Sequence, residues 1–554
     1  MTAHGRLSAR RSAPPSHDCE THTANCYQQL HWGTQAMTDI SRRGLLAAAS
    51  MLPLIAALPR GAFASGQETL KIAIAAETGN LDLLQNVSTL SAYTVVFDAL
   101  IHYGPGGTLE PGLATAWTLA EDGKSIGFVL REGVTFSDGT PFDAAAAEWN
   151  LKRWMGVADF SWIGIADAYE SIVVDAPNKI TVKLKRPVPA ALMELTIVRP
   201  VRLLSPKAVD AKGVQNAPVG TGPWIVESYD YARTVLVRND KYWGEKPFFQ
   251  KIDLVVVPDE LARANGLRAG DLDVIGGDWV ATLSPRRAKA LQGEGIAVVA
   301  EPGTATMHLG YSPISPMVQD LAVRKAVFLG IDRAVIANVL FEGFAEPTAD
   351  VFPAVIPSSG KRHEVPARDV AAAKAALTEG GWMDHGGSWM KGDQSLRLDL
   401  LVSEESLPGS RRIAEIVQGM LTEVGIAVTV SSVDNATIHD RRPTFKYDLA
   451  FFTTYGAPYD PHGTLGASFV KASDTGPDGK IYISDALDPL VADALAATGA
   501  EREAKIQAVY DWLWDNVAIC PLVVQKRVWA HSPRLKGFAL PATDYDLPFK
   551  GISA

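Results

Sequence analysis

Residues 396–430 constrain the fold more than any other stretch of the chain. An apolar run at 396–402 is followed by helical spacing over 411–424 and a second apolar run at 426–430. Together they read as a strand–helix–strand unit. A further apolar run, Lys446-Tyr447-Asp448-Leu449-Ala450-Phe451-Phe452-Thr453, leads directly into a loop rich in aromatic, glycine and proline residues. A mixed α/β fold is therefore expected, with chemistry placed where a strand ends in a loop.

The rest of the chain fits that class. Residues 71–75 alternate as a strand, 93–101 are spaced as a helix, and 125–136 read as a hairpin-like pair around Glu132-Gly133. Asp143 can cap an alanine-rich helix over 144–154, and 179–184 alternate as a half-exposed strand. Turns and strands alternate over 216–257, with strands at 224–226 and 253–257. The pattern shifts near Glu301-Pro302-Gly303, beyond which helices are expected at 321–329, 335–341 and 369–378. A chain of 554 residues outgrows a single hydrophobic core, so two lobes are expected with a crossover near residue 303.

Composition narrows function. Hydrophobic residues at 47% and charged residues at 21% describe a folded protein, not a disordered one. A formal charge of −10 lacks the basic footprint needed to displace counterions from nucleic acid, and it argues against a polybasic membrane anchor. The chain has three cysteines, Cys19, Cys26 and Cys520, the first two in an N-terminal stretch that reads as an address. There, Ser41-Arg42-Arg43-Gly44-Leu45-Leu46 sets paired arginines before an apolar run over 44–58, too short to span a bilayer. Ala62-Phe63-Ala64 supplies a small-x-small cleavage pattern, so a twin-arginine signal cut after Ala64 and a periplasmic mature protein are expected. Met37 precedes the motif as a start methionine would, which makes residues 1–36 a candidate extension and leaves Met1 and Met37 as alternative starts. Cys520 would then stand alone in an apolar run, excluding an intrachain disulfide or an all-cysteine metal site.

Enzyme signatures are missing. The sequence has no GxSxG elbow, Walker loop, GxGxxG or HExxH, and Gly220-Thr221-Gly222-Pro223 is a turn, since Pro223 has no N–H for a phosphate. Two sets of residues do suggest ligand chemistry. Arg199 follows the apolar run 192–198 and precedes a proline, an expensive place for a cation without a partner. Its guanidinium can grip a ligand carboxylate bidentately or close a salt bridge within its own lobe. Tyr455 and Tyr459 flank a Gly-Ala-Pro turn, so both rings can project from one loop, either toward a flat ligand or back onto their own lobe.

Four motifs then occur in order: Asp138-Gly139-Thr140-Pro141-Phe142, Gly220-Thr221-Gly222-Pro223-Trp224, Asn239-Asp240-Lys241-Tyr242-Trp243 and Ala322-Val323-Arg324-Lys325-Ala326. In this order and spacing, over residues 69–545, the chain resembles the extracellular solute-binding proteins of ABC importers, family 5, the peptide/nickel class. The loop Tyr455-Gly456-Ala457-Pro458-Tyr459-Asp460-Pro461-His462 is similar to that of the periplasmic nickel receptors, as are Ile197-Val198-Arg199-Pro200-Val201-Arg202 and Tyr242-Trp243-Gly244-Glu245-Lys246-Pro247. The resemblance implies a type II periplasmic binding protein fold: two α/β lobes, an extra subdomain on the first, and a ligand cleft between them. The implied boundaries are 65–303 for lobe I with the subdomain at about 110–215, 304–524 for lobe II, and 525–554 returning to lobe I. It implies a hinge-closing, non-enzymatic receptor that works as a monomer with a membrane permease and ATPase.

For the site, the resemblance points to Arg199, Tyr455, Tyr459 and Trp162 for the ligand, with Arg202 as a spare ligand candidate or a structural arginine, and His462 as a candidate metal ligand. A core position for Trp162 and a turn-stabilising role for His462 are the alternatives. The leading ligand is a chelated transition metal, nickel first, carried as cargo with no obligatory cofactor; an oligopeptide or dipeptide is the alternative within the class. A periplasmic enzyme or folding helper is the alternative outside it. The nickel branch places a metal-contacting histidine about a dozen residues beyond the loop, where Val470-Lys471-Ala472-Ser473-Asp474 has none, and an arginine where Ala158-Asp159-Phe160 stand.

Overall fold

The computed structural model describes residues 69–85, 90–277, 280–471 and 480–554. The expected export signal and candidate extension lie outside the described residues, as does most of the stretch at 470–474. One long mixed sheet organises the described chain. Its order runs Ala427–Ser432, Arg397–Val402, Leu449–Thr453, Ala297–Tyr311, Ile519–His531, Val274–Gly276, Thr69–Ile74, Lys251–Val256, Arg233–Arg238 and Trp224–Tyr229. The short strand Ala345–Pro347 pairs with Ile519–His531 off this path.

The unit at 396–430 folds as the expected strand–helix–strand. Arg397–Val402 and Ala427–Ser432 pair in parallel, and helix Ser410–Val424 crosses between them. That helix buries Ile413, Ala414, Val417, Met420, Leu421 and Val424, a three-and-four spacing that lines one face. These residues join a core with Met307, Leu309, Phe451, Phe469 and Val523. A second core, built round Leu70, Ile72, Tyr93, Phe97, Trp224 and Leu254, also takes in Trp529, Tyr545 and Phe549 from the C-terminal segment. A third fills a four-stranded sheet ordered Ala114–Leu119, Ser125–Leu130, Lys179–Leu184 and Tyr169–Ala176, covered by helix Ala144–Lys152.

Two antiparallel strands, Ala297–Tyr311 and Ile519–His531, run through both halves of the long sheet. Their pairing is irregular between Pro302 and Thr306, where the sequence pattern also shifts. Arg527 ties the C-terminal segment to this place, contacting Glu301 at 3.3 Å and Asp544 at 3.4 Å. Thr304 adds a hydroxyl donated to Asp544 at 2.5 Å.

Several expectations need correction. Residues 125–136 do not form a hairpin: Ser125–Leu130 pairs instead with Ala114–Leu119 on one edge and the distant Lys179–Leu184 on the other, so its backbone groups are satisfied from both sides. The helix read over 93–101 is one turn, Tyr93–Val96, after which Ile101–Tyr103 becomes a strand. The strand Arg233–Arg238 was not anticipated. Asp143 does cap its helix, accepting the Ala146 N–H at 2.9 Å.

Candidate ligand site

The loop after Leu449–Thr453 is organised by one buried carboxylate. Asp460 accepts the Gly456 N–H at 2.6 Å and the Thr464 N–H at 3.3 Å. The Thr464 hydroxyl in turn accepts the Tyr455 N–H at 3.0 Å, and Gly463 donates to the Tyr459 carbonyl at 2.7 Å. Gly456 is required here. Its φ is +76°, and a Cβ would lie 2.6 Å from the Thr304 hydroxyl. Burial pushes the Asp460 carboxyl up to about 7, against the pull of those hydrogen bonds.

This loop fixes two rings. Tyr455 is 39% exposed, and its carbonyl accepts the Tyr545 hydroxyl at 3.2 Å. Tyr459 meets Tyr545 edge-on at 5.4 Å and packs against both the core around Trp224 and that of the four-stranded sheet. Its hydroxyl faces the backbone of Val198, with the charges of Arg199 and Arg202 nearby, while burial raises its pKa to about 12. One loop of the half containing helix Ser410–Val424 thus reaches residues 196–202 of the other half.

Arg199 is half-buried beside Tyr459 and Tyr93 and makes no hydrogen bond or ion pair among the described residues. The charge of Arg199 acts on Tyr93, whose hydroxyl donates to the Asp82 carbonyl at 2.8 Å. Arg202 is buried, donating to the carbonyls of Val198 at 3.1 Å and Phe97 at 2.9 Å. It therefore fixes the backbone that presents Arg199. Trp162 stands 50% exposed on the subdomain and makes no hydrogen bond or ring contact among the described residues. His462 opens helix His462–Ser468, where burial, with the charge of Arg502, depresses its pKa to about 3.

A cavity of about 270 Å³ adjoins this arrangement, sharing Val198 and Arg202 with the arginine segment and Pro458 with the loop. Asp98, His102 and Asp546 also face it, whereas Arg199, Tyr455 and Tyr459 lie outside its lining. The Asp98 carboxylate is buried and accepts the Trp243 indole N–H at 2.8 Å and the Thr221 hydroxyl at 3.0 Å. These partners come from two of the ordered sequence motifs, so the motifs brace the cavity wall. Among the described residues no three His, Cys, Asp or Glu side chains converge as a metal cage would require.

The comparisons with known proteins agree with this architecture. Residues 108–476 match the model for bacterial extracellular solute-binding proteins, family 5. The chain belongs to that family. A nickel-binding periplasmic protein from Escherichia coli (strain K12) is 28% identical over 480 residues, covering 85% of this chain and 91% of the relative. A crystal structure of an ABC transporter substrate-binding protein from Sinorhizobium meliloti shares 45% identity with a TM-score of 0.80, covering 87% of this chain and 99% of that one. NikA from Brucella suis, solved with Fe(III)-EDTA, shares 28% identity with a TM-score of 0.81 over the same fractions. As a family 5 member the chain has the two-lobed binding-protein fold and is a solute receptor of an ABC importer.

Sequence reasoning missed three residues of this site. Tyr545 comes from the C-terminal segment and meets the loop only through the fold, and Tyr93 lies near the charge of Arg199. Asp460 lies inside the loop motif, and its role as the loop's buried acceptor comes only from the fold. An acid following Tyr-Gly-Ala-Pro-Tyr and preceding a proline is itself a turn signal, and that was the available clue.

Proposed function

We propose that this chain captures a small, carboxylate-bearing metal chelate, with nickel the leading metal, and delivers it to a membrane permease and its ATPase. The observation that carries this reading is Arg199: a half-buried guanidinium beside an aromatic loop from the opposite half, with no carboxylate partner among the described residues. A buried cation is stable only when paired, and a ligand carboxylate supplies a bidentate charge-assisted contact. Tyr455 and Tyr459 offer flat faces for the chelator, so the protein reads the organic ligand while the metal arrives already coordinated. The nickel-binding name of one relative and the Fe(III)-EDTA complex of another support the same class of cargo.

Capture proceeds by closure. Solute bridges Arg199 on one side and the Tyr455–Tyr459 loop on the other, and it shifts the open–closed balance by its preference for the closed form. The hinge lies where strands Ala297–Tyr311 and Ile519–His531 lose register. Export by a twin-arginine signal cut after Ala64 places this receptor in the periplasm. Purification from the periplasm of a native-like host, followed by mass spectrometry and elemental analysis, tests the cargo. A stoichiometric metal with a small carboxylate chelator is expected; a peptide without metal contradicts the reading.

A further inference from the structure

The C-terminal segment reaches from one half of the long sheet to the ligand loop of the other. Its side chains Tyr545, Leu547 and Phe549 are buried in the core round Trp224 and Leu254. From that footing the Tyr545 hydroxyl donates to the Tyr455 carbonyl at 3.2 Å, and its ring meets Tyr459 edge-on at 5.4 Å. One side chain thus meets both aromatic residues of the loop from the opposite half. The backbone that carries it is set in place. The Tyr545 N–H donates to the Thr543 hydroxyl at 3.2 Å, and that hydroxyl donates to Asp546 at 2.6 Å. Beside it, Asp544 accepts the Thr304 hydroxyl, which stands where a Cβ on Gly456 would collide. The C-terminal segment, the crossing strand and the loop therefore meet at one place. Burial raises the pKa of the Tyr545 hydroxyl well above its ordinary value, so the group stays a donor.

The loop is held in two ways. Asp460 and Thr464 fix its shape from within its own half, and that hold travels with the loop. The Tyr545 contact joins the two halves, so it exists only while they are together. A neutral hydrogen bond of this kind is worth a factor of about five in an equilibrium. Because it forms in the closed arrangement and does not touch the solute, it biases closure by the same factor for every solute. It acts on escape and not on encounter, since solute enters before the contact forms. We infer that Tyr545 is a positioning residue, a latch from the C-terminal segment that keeps the Tyr455–Tyr459 loop shut and slows release of the solute beneath it. This rests on the ligand role of that loop proposed above.

The test is stopped-flow binding with two probes, nickel citrate and the 1:1 nickel–histidine complex. Wild type is compared with Tyr545→Phe, which keeps the ring and removes only the hydroxyl. Dissociation is expected to quicken about fivefold for both complexes, with association within about twofold and an unchanged melting temperature. An unchanged dissociation rate overturns the latch. So does a loss confined to one complex, which makes Tyr545 a solute contact. A lowered melting temperature with both rate constants altered makes it a structural residue and also overturns the latch. If wild type binds neither complex, the cargo reading falls, and small-angle scattering on the ligand-free protein decides the latch. A larger radius of gyration in Tyr545→Phe than in wild type then supports it, and equal radii overturn it.

Discussion

Asp460 shows how one side chain connects folding chemistry to the ligand loop. It holds Gly456 and Thr464, and through them the backbone of Tyr455. Its folded pKa is raised to about 7 from an ordinary 3.8, so the folded state binds the proton more tightly than the unfolded chain. Stability from this source is present below the unfolded value and is lost as pH rises through about 7. Between pH 5 and 7.5 the loss is on the order of 2 kcal/mol. Asp98 and Asp544, also raised by burial, add slopes of the same sign. Urea titrations of wild type and Asp460→Asn across this range should show a shallower pH dependence in the variant; identical slopes would refute the assignment. At this scale the sequence was informative for Arg199, because a cation after a largely apolar run and before a proline needs an explanation.

Among the elements, the loop between Leu449–Thr453 and helix His462–Ser468 depends most on backbone conformation. Alanine at Gly456 would have to adopt a positive φ and crowd Thr304, whose hydroxyl is held by Asp544 at 2.5 Å. Gly456→Ala is expected to cost about 1–3 kcal/mol of stability and to weaken ligand binding together with it. Chemical denaturation measures the first effect and calorimetry the second; a variant as stable as wild type would show that the loop can move aside. Elements with long, regular apolar spacing were legible in advance, notably the unit at 396–430. The single turn Tyr93–Val96 was not, because its apolar residues serve a helix and then a buried extended segment without any change in spacing. The 125–130 strand was read as a strand but given the wrong partner, since alternation reports a buried face and not which neighbour covers its edge.

For the whole molecule, the long sheet carries the functional argument. Two strands pass from one half to the other, lose register near Pro302, and are tied there to the C-terminal segment through Arg527 and Asp544. Tyr459 packs from the loop after Leu449–Thr453 against the two cores of the other half. In solution, adding a bound chelate should lower the radius of gyration measured by small-angle scattering; an unchanged value with saturating ligand would argue against hinge closure. Lobe count and fold class followed from length and strand–helix order, and the four ordered motifs carried the family. The structural role of two of these motifs lies in Asp98, which accepts from Trp243 and Thr221, residues more than 120 positions away.

The central claim is that Arg199 reads the carboxylate of a chelator and that bare metal is not the ligand. Isothermal calorimetry on wild type and Arg199→Ala, with nickel alone and with nickel citrate, tests it most directly. The account predicts tight binding of the chelate by wild type, at least a tenfold loss in the variant, and no saturable binding of nickel alone by either. A variant that binds the chelate as tightly as wild type, or a wild type that binds free nickel equally well, would contradict it.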